Sequence, residues 1–123
     1  MTTPDKAQFA TSDKAREAAE EIVEMAGFGD RQDVYRLAVA AALVKGLDPA
    51  PEDVGGRKTY LGIGSFDPDG WISATISQSR EDGRERPYAL AERLAEAGIA
   101  DLHAHLNKGH PIREYLAGLS ESA

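Results

Sequence analysis

Residues 37–44, "LAVAAALV", are apolar on every face of a helix. They sit inside "GFGDRQDVYRLAVAAALVKGL", residues 27–47, whose entrance carries Asp30, Arg31, Asp33 and Arg36. A helix that is hydrophobic all round has to be covered on all sides. A chain of 123 residues is one domain of ordinary size with little material to spare for that. A second copy of the same chain is one cover; a single-chain helical bundle with this helix at its centre is the alternative.

The segments before it bear on that choice. "KAQFAT" is short and alternating, with Ala7 and Phe9 on one side and Lys6, Gln8 and Ala10 on the other. Ser12 then reads as a helix N-cap with Asp13 in the first turn. Ala15, Ala18, Ala19, Ile22 and Val23 recur at helical spacing, and Gly27 and Gly29 close the helix. Asp30 caps the next helix and Gly46 ends it. Short strand, helix, turn and apolar helix within residues 6–47 is the order of a ribbon-helix-helix unit. In that arrangement two chains pair their strands and bury their second helices together. The expected oligomer interface is therefore Phe9, Leu37, Val39, Ala41, Leu43 and Val44.

Residues 48–70 read as an irregular connector. "PAP" resists helix, "GG" loosens the chain and "DPDG" is a turn, with "TYLGIGSF" as a strand-like arm placing Tyr60, Leu61 and Ile63 on the core. "WISATISQS" fits both periods, and helix is the preferred reading, with Trp71, Ile72, Thr75 and Ile76 together. Pro87 opens "YALAERLAEAG", which Gly98 is expected to end. "IADLHAHLNKG" forms a further short helix, and "HPIREYLAGL" closes the fold on Ile112, Tyr115, Leu116 and Leu119. The expectation is a mainly α single domain over 1–123, made of a ribbon-helix-helix-like half, a connector and a C-terminal helical half over 71–119.

The sequence nominates no catalytic centre and no cofactor. His103 and His105 lie about 200° apart around a helix, so they do not grip one ion, and with His110 they read as surface or capping residues. "DPDG" departs from a calcium loop, with Gly70 at position 4 and Gln78 at position 12. In "GGRKT" Arg57 separates Gly56 from Lys58, which breaks a phosphate loop, and "GIGSFD" lacks the third glycine of a dinucleotide fingerprint. "GIGSF" is not a nucleophile elbow. The chain is expected not to be an enzyme and to hold no metal.

The net charge of −7 opposes indiscriminate adhesion to nucleic acid, though phosphates respond to local cations. Lys6 and Gln8 on the strand suit base edges, and Arg31, Arg36, Arg57 and Lys58 suit phosphates; these six are the candidate DNA contacts. There is no run of about 18 apolar residues and hence no membrane span. The absence of cysteine and of a basic-then-apolar leader in "MTTPDKAQFA" predicts a cytoplasmic protein.

Taken with the front half, "GGRKTYLGIG" and "AEAGIADLHAHLNKGHPIREYL" give the chain an order and spacing that resembles the small E protein of bacterial DNA phosphorothioation (sulfur modification) systems. The resemblance covers most of residues 8–119. It implies a helical homodimer or homotetramer in an accessory, non-catalytic role beside DNA-modifying enzymes, with duplex or nicked DNA and other components of that assembly as partners. It carries over no catalytic residue, and the acidic balance departs from it. The alternatives are a ribbon-helix-helix regulator, such as an antitoxin, and a protein–protein adaptor that binds no DNA.

Overall fold

The computed structural model describes residues 4–6, 8–51 and 57–122, with the side chains of 57–60 and 122 outside that description. In order, the elements are β1 (Gln8–Ser12), α1 (Asp13–Ala26), α2 (Arg31–Lys45), β2 (Arg57–Gly62), α3 (Ile63–Phe66), α4 (Trp71–Ser79), a 3-10 turn at Glu81–Gly83, α5 (Pro87–Asn107) and α6 (Ile112–Ser122). The fold is mainly α, as the sequence predicts, with a short antiparallel sheet at its front.

Several local signals act as read. The Ser12 hydroxyl accepts the Ala15 amide at 3.1 Å and starts α1. Asp30 accepts the amides of Gln32 and Asp33 at 2.8 and 3.2 Å and starts α2. Gly27 and Gly46 end these helices at φ 77° and 66°, a region that side-chain-bearing residues rarely adopt. Residues 71–79 are helical, which resolves the ambiguous stretch.

The sheet departs from the expected ribbon. β1 pairs with β2 of its own chain, Gln8 opposite Gly62 and Thr11 opposite Thr59. The segment taken as an irregular connector thus supplies a strand, built from the β-favouring run Thr59, Tyr60 and Leu61. Just beyond it Phe66 stacks on Phe9, ring centroids 4.0 Å apart and planes at 17°, which ties the returning chain to the core. Leu61 and Ile63 pack against that core as expected; the Tyr60 side chain lies outside the described residues.

The second departure concerns what covers α2. Residues 87–107, read as two short helices broken at Gly98, form one continuous α5 of 21 residues. Gly98 is not a stop. A Cβ there would lie 2.0 Å from the Ala38 carbonyl oxygen of α2, so the glycine is where two helix backbones come closest. α5 presents Leu90, Ala91, Leu94, Ala95, Ile99 and Leu102 to the core and packs on α2 more extensively than any other element pair. The chain covers most of its own apolar helix: Phe9, Val39 and Ala41, expected at an interface between copies, are 0%, 1% and 0% exposed within one chain. Leu37 and Leu43 pack partly against this core, and Val44 is exposed.

Polar contacts fasten residues 4–6 and 8–12 along α5. The residue before α5, Arg86, supplies no side-chain cap. Asp5 supplies it instead, accepting the amides of Tyr88 and Ala89 at 3.0 Å each, while the Arg86 Nε donates to the Pro4 carbonyl at 3.0 Å. In return, α5 carboxylates accept from β1: Glu92 takes the Ala10 amide at 2.6 Å and Glu96 the Ser12 amide at 2.8 Å.

Because Gly98 meets rigid backbone, Gly98→Ala is expected to cost about 3 kcal/mol or more, the upper range of overpacking. Gly118→Ala, on α6 where a Cβ meets nothing within 4 Å, is expected to gain about 0.5–1 kcal/mol. Urea unfolding of both variants checks the opposite signs.

Candidate functional site

Exposed apolar surface gathers between α2 and α4. Asp67 sets the geometry of α4: its carboxylate, buried, accepts the amides of Ile72 at 3.1 Å and Ser73 at 3.0 Å and the Tyr88 hydroxyl at 2.8 Å. These contacts fix the first turn of α4 against α5. Arg36 fixes the segment before it, donating to the carbonyls of Ser65 at 2.7 Å and Phe66 at 3.0 Å and to Asp33 at 3.0 Å.

Ile76 is the fully buried residue of α4, and Ile72 packs partly against the core. Trp71, in the first turn, is 74% exposed. With Ile72 and Thr75 it forms one wall of a hollow of about 210 Å³, and Val39, Ala40, Leu43 and Val44 of α2 form the other, Arg36 lying at the rim. A second hollow of about 600 Å³ shares Leu43, Val44 and Thr75 and runs on to Ser79, Arg80, Glu81 and Asp82. The two are one groove. Its lining is apolar at the Trp71 end and closes on the Arg80–Asp82 ion pair, 2.9 Å, at the other.

The expected DNA contacts are not gathered on one face. Lys6 lies 3.6 Å from Glu92, Arg31 3.5 Å from Glu20, and Arg36 is held by Asp33 and the two carbonyls. Gln8 is exposed at the start of β1. The side chains of Arg57 and Lys58 lie outside the described residues. Of the expected interface residues, Leu43 and Val44 line the groove and Val39 touches its floor. The sequence does not single out Trp71: helical spacing groups it with Ile72, Thr75 and Ile76, and nothing in "WISATISQS" says that one member of the group is buried and another bare.

The histidines have separate partners. His103 meets Glu21, His105 Nε2 the Pro111 carbonyl at 2.9 Å, and His110 Nδ1 Glu114 at 3.4 Å. Among the described residues no three His, Asp or Glu side chains converge as a metal site. A second polar cluster joins α2, α5 and α6. The Tyr115 hydroxyl donates to Asp101 at 2.8 Å, Asp101 also holds Lys45, and the Lys45 ammonium stands 5.0 Å from the Tyr115 ring centre. Burial, reinforced by the hydrogen bond and charge of Asp101, pushes the Tyr115 hydroxyl well above the ordinary tyrosine range. Burial and the bond to Asp67 raise that of Tyr88. Neither is an activated phenol.

Compared with protein-family models, curated proteins and solved structures, the chain matches none.

The raised Tyr115 value has a sign. The neutral phenol is the form the fold favours, so its contribution is complete below the unfolded value near 10 and is lost as pH rises above it. Thermal melts between pH 8 and 11.5 are expected to fall steeply above about pH 10, and Tyr115→Phe to fall less over the same interval.

Proposed function

We propose that the protein is a non-catalytic scaffold that associates with itself through the α2–α4 groove. The observation that carries this is Trp71, 74% exposed beside an apolar hollow. Tryptophan is among the residues most enriched at the energetic centres of interfaces. A two-fold contact uses the same patch on both copies, so the patch has to complement itself. This one carries a projecting indole and a hollow side by side, and about 210 Å³ exceeds a cavity of about 150 Å³ that accepts benzene.

Charge selects where two copies can meet. Two chains of net charge −7 repel, and the least costly approach is through surface without carboxylates. The Trp71 end of the groove has Arg36 as its charged lining residue, already neutralised by Asp33. A scaffold of this kind suits the accessory role implied by the resemblance to phosphorothioation E proteins, with Lys6, Arg31 and Arg36 contributing little to DNA because each is paired with a carboxylate of its own chain.

Sedimentation velocity at micromolar concentration is expected to give a dimer for the wild type and a monomer for Trp71→Ala. The melting temperature of Trp71→Ala should change little, because the ring is not part of the core. Trp71 is the chain's one tryptophan, so its emission should move to shorter wavelength as concentration rises. A wild type that stays monomeric with unmoved emission would overturn the reading. Fluorescence anisotropy on intact and nicked duplexes over a salt series separates the DNA reading: binding with a log–log salt slope of roughly −4 or steeper would favour it.

A further inference from the structure

One dipeptide occurs twice at the start of α5: Glu85–Arg86 and, seven residues on, Glu92–Arg93. Seven residues are nearly two helical turns, so Arg86 at the N-cap and Arg93 within the helix lie on one face, about 10 Å apart along the axis. Ala89 stands between them. A methyl group among long charged side chains leaves room, and a hollow of about 340 Å³ opens there, lined also by Lys6.

The rim of this hollow is held in place by the fold. Arg86 Nε donates to the Pro4 carbonyl at 3.0 Å and Arg93 Nε to the Ala50 carbonyl at 2.7 Å, so two separate segments orient the two guanidiniums. Glu92 is fully buried, with Oε2 accepting the Ala10 amide and Oε1 3.6 Å from the Lys6 ammonium. Asp82, also on the rim, is held by Arg80. Glu85 and the two Nη groups of Arg86 remain, and among the described residues neither has a protein partner. They are neighbours of opposite sign.

Charge decides what such a hollow accepts. Its described lining holds three cations, Lys6, Arg86 and Arg93, and three carboxylates, Asp82, Glu85 and Glu92. A ligand of one sign is attracted by half of these and repelled by the rest, and an apolar ligand strips water from all of them. A molecule with both signs on neighbouring atoms meets both. We propose that the hollow binds a small zwitterion of the α-amino-acid type. Its carboxylate lies on the Arg86 fork, which can take it through two parallel N–H bonds, and its ammonium on Glu85. Its side chain lies over Ala89 towards Glu92 and Arg93. The space suffices, being more than twice the roughly 150 Å³ that accepts benzene. Apart from Asp82, the described lining shares no residue with the α2–α4 groove, so the site is independent of self-association.

Amide chemical-shift titration of the full chain tests this, with the common free amino acids as probes and acetate, inorganic phosphate and ethylamine as single-charge comparators. At least one amino acid is expected to bind with a Kd of about 1 mM or tighter, at least tenfold tighter than any comparator, with shifts centred on Tyr88 to Arg93. Glu85→Gln and Arg86→Gln should each weaken it about tenfold or more, the effect of losing one charged hydrogen bond. Ala89→Leu should abolish binding by filling the hollow, with the melting temperature and the concentration dependence of Trp71 emission unchanged. If Arg86→Gln lowers the melting temperature by releasing Pro4, Glu85→Gln carries the comparison, because exposed Glu85 holds no described residue. No binding by any amino acid at about 10 mM, a comparator as tight as the best amino acid, or binding that survives Ala89→Leu would overturn the proposal.

Discussion

Everything in this fold is arranged around the closest approach of α2 and α5. At Gly98 the two backbones are so near that even a methyl group would collide with the Ala38 carbonyl. Helices that approach this closely need small residues at the crossing, and the crossing here is flanked by Ala38, Ala41, Ala42, Ala91 and Ala95, all buried. Larger side chains then fill the space to either side: Val34, Tyr35, Leu94, Ile99 and Leu102. An all-round apolar helix costs a small protein little when one long helix of the same chain lies along it. The remaining elements close the flanks, α1 and α6 against α2, while the side of α2 that faces α4 stays open as the groove.

The polar contacts between residues 4–6 and 8–12 and α5 follow from that arrangement. Once α5 is fixed along α2, its first turn and one of its faces are left against the front strand. Asp5 caps the helix, and the helix's carboxylates complete the strand. Neither element satisfies its own backbone at this contact. Each supplies what the other lacks, so a buried strand edge and a helix start without a local cap coexist with little unmet hydrogen bonding.

Much of this was legible in the sequence, and the limit of legibility has a physical cause. Ser12, Asp30, Gly27 and Gly46 act through neighbours within four residues, so their roles could be read directly. Gly98 could not: a glycine that ends a helix and one that admits a neighbouring backbone look alike when only the local spacing is visible. Read as a stop, Gly98 divides α5 in two and hides the one helix long enough to lie along residues 37–44. The order of the first 47 residues, strand, helix, turn and apolar helix, points to an interface at Phe9, Val39 and Ala41 because it is silent on what a later helix covers. The pairing of β1 with β2 and the caps from Asp5, Glu92 and Glu96 link residues about 50 to 84 apart, and no local pattern marks them. Trp71 escaped for the complementary reason, since periodicity states which residues share a face and not whether that face is covered.

The cap that Asp5 places on α5 spans 83 positions of the chain. Chains leave the ribosome from the N-terminal end at about 5–20 residues per second. The front strand therefore exists for several seconds, on the order of the time taken to add some 80 residues, before the helix that completes its edge has been made. During that interval the caps of α1 and α2 are within reach of their own helices, but the small residues of α2 lack the α5 face, and β1 gains β2 on one edge before α5 on the other. The order of synthesis and the order of satisfaction run opposite ways in this protein, and the helix made late is the one on which the early segments wait.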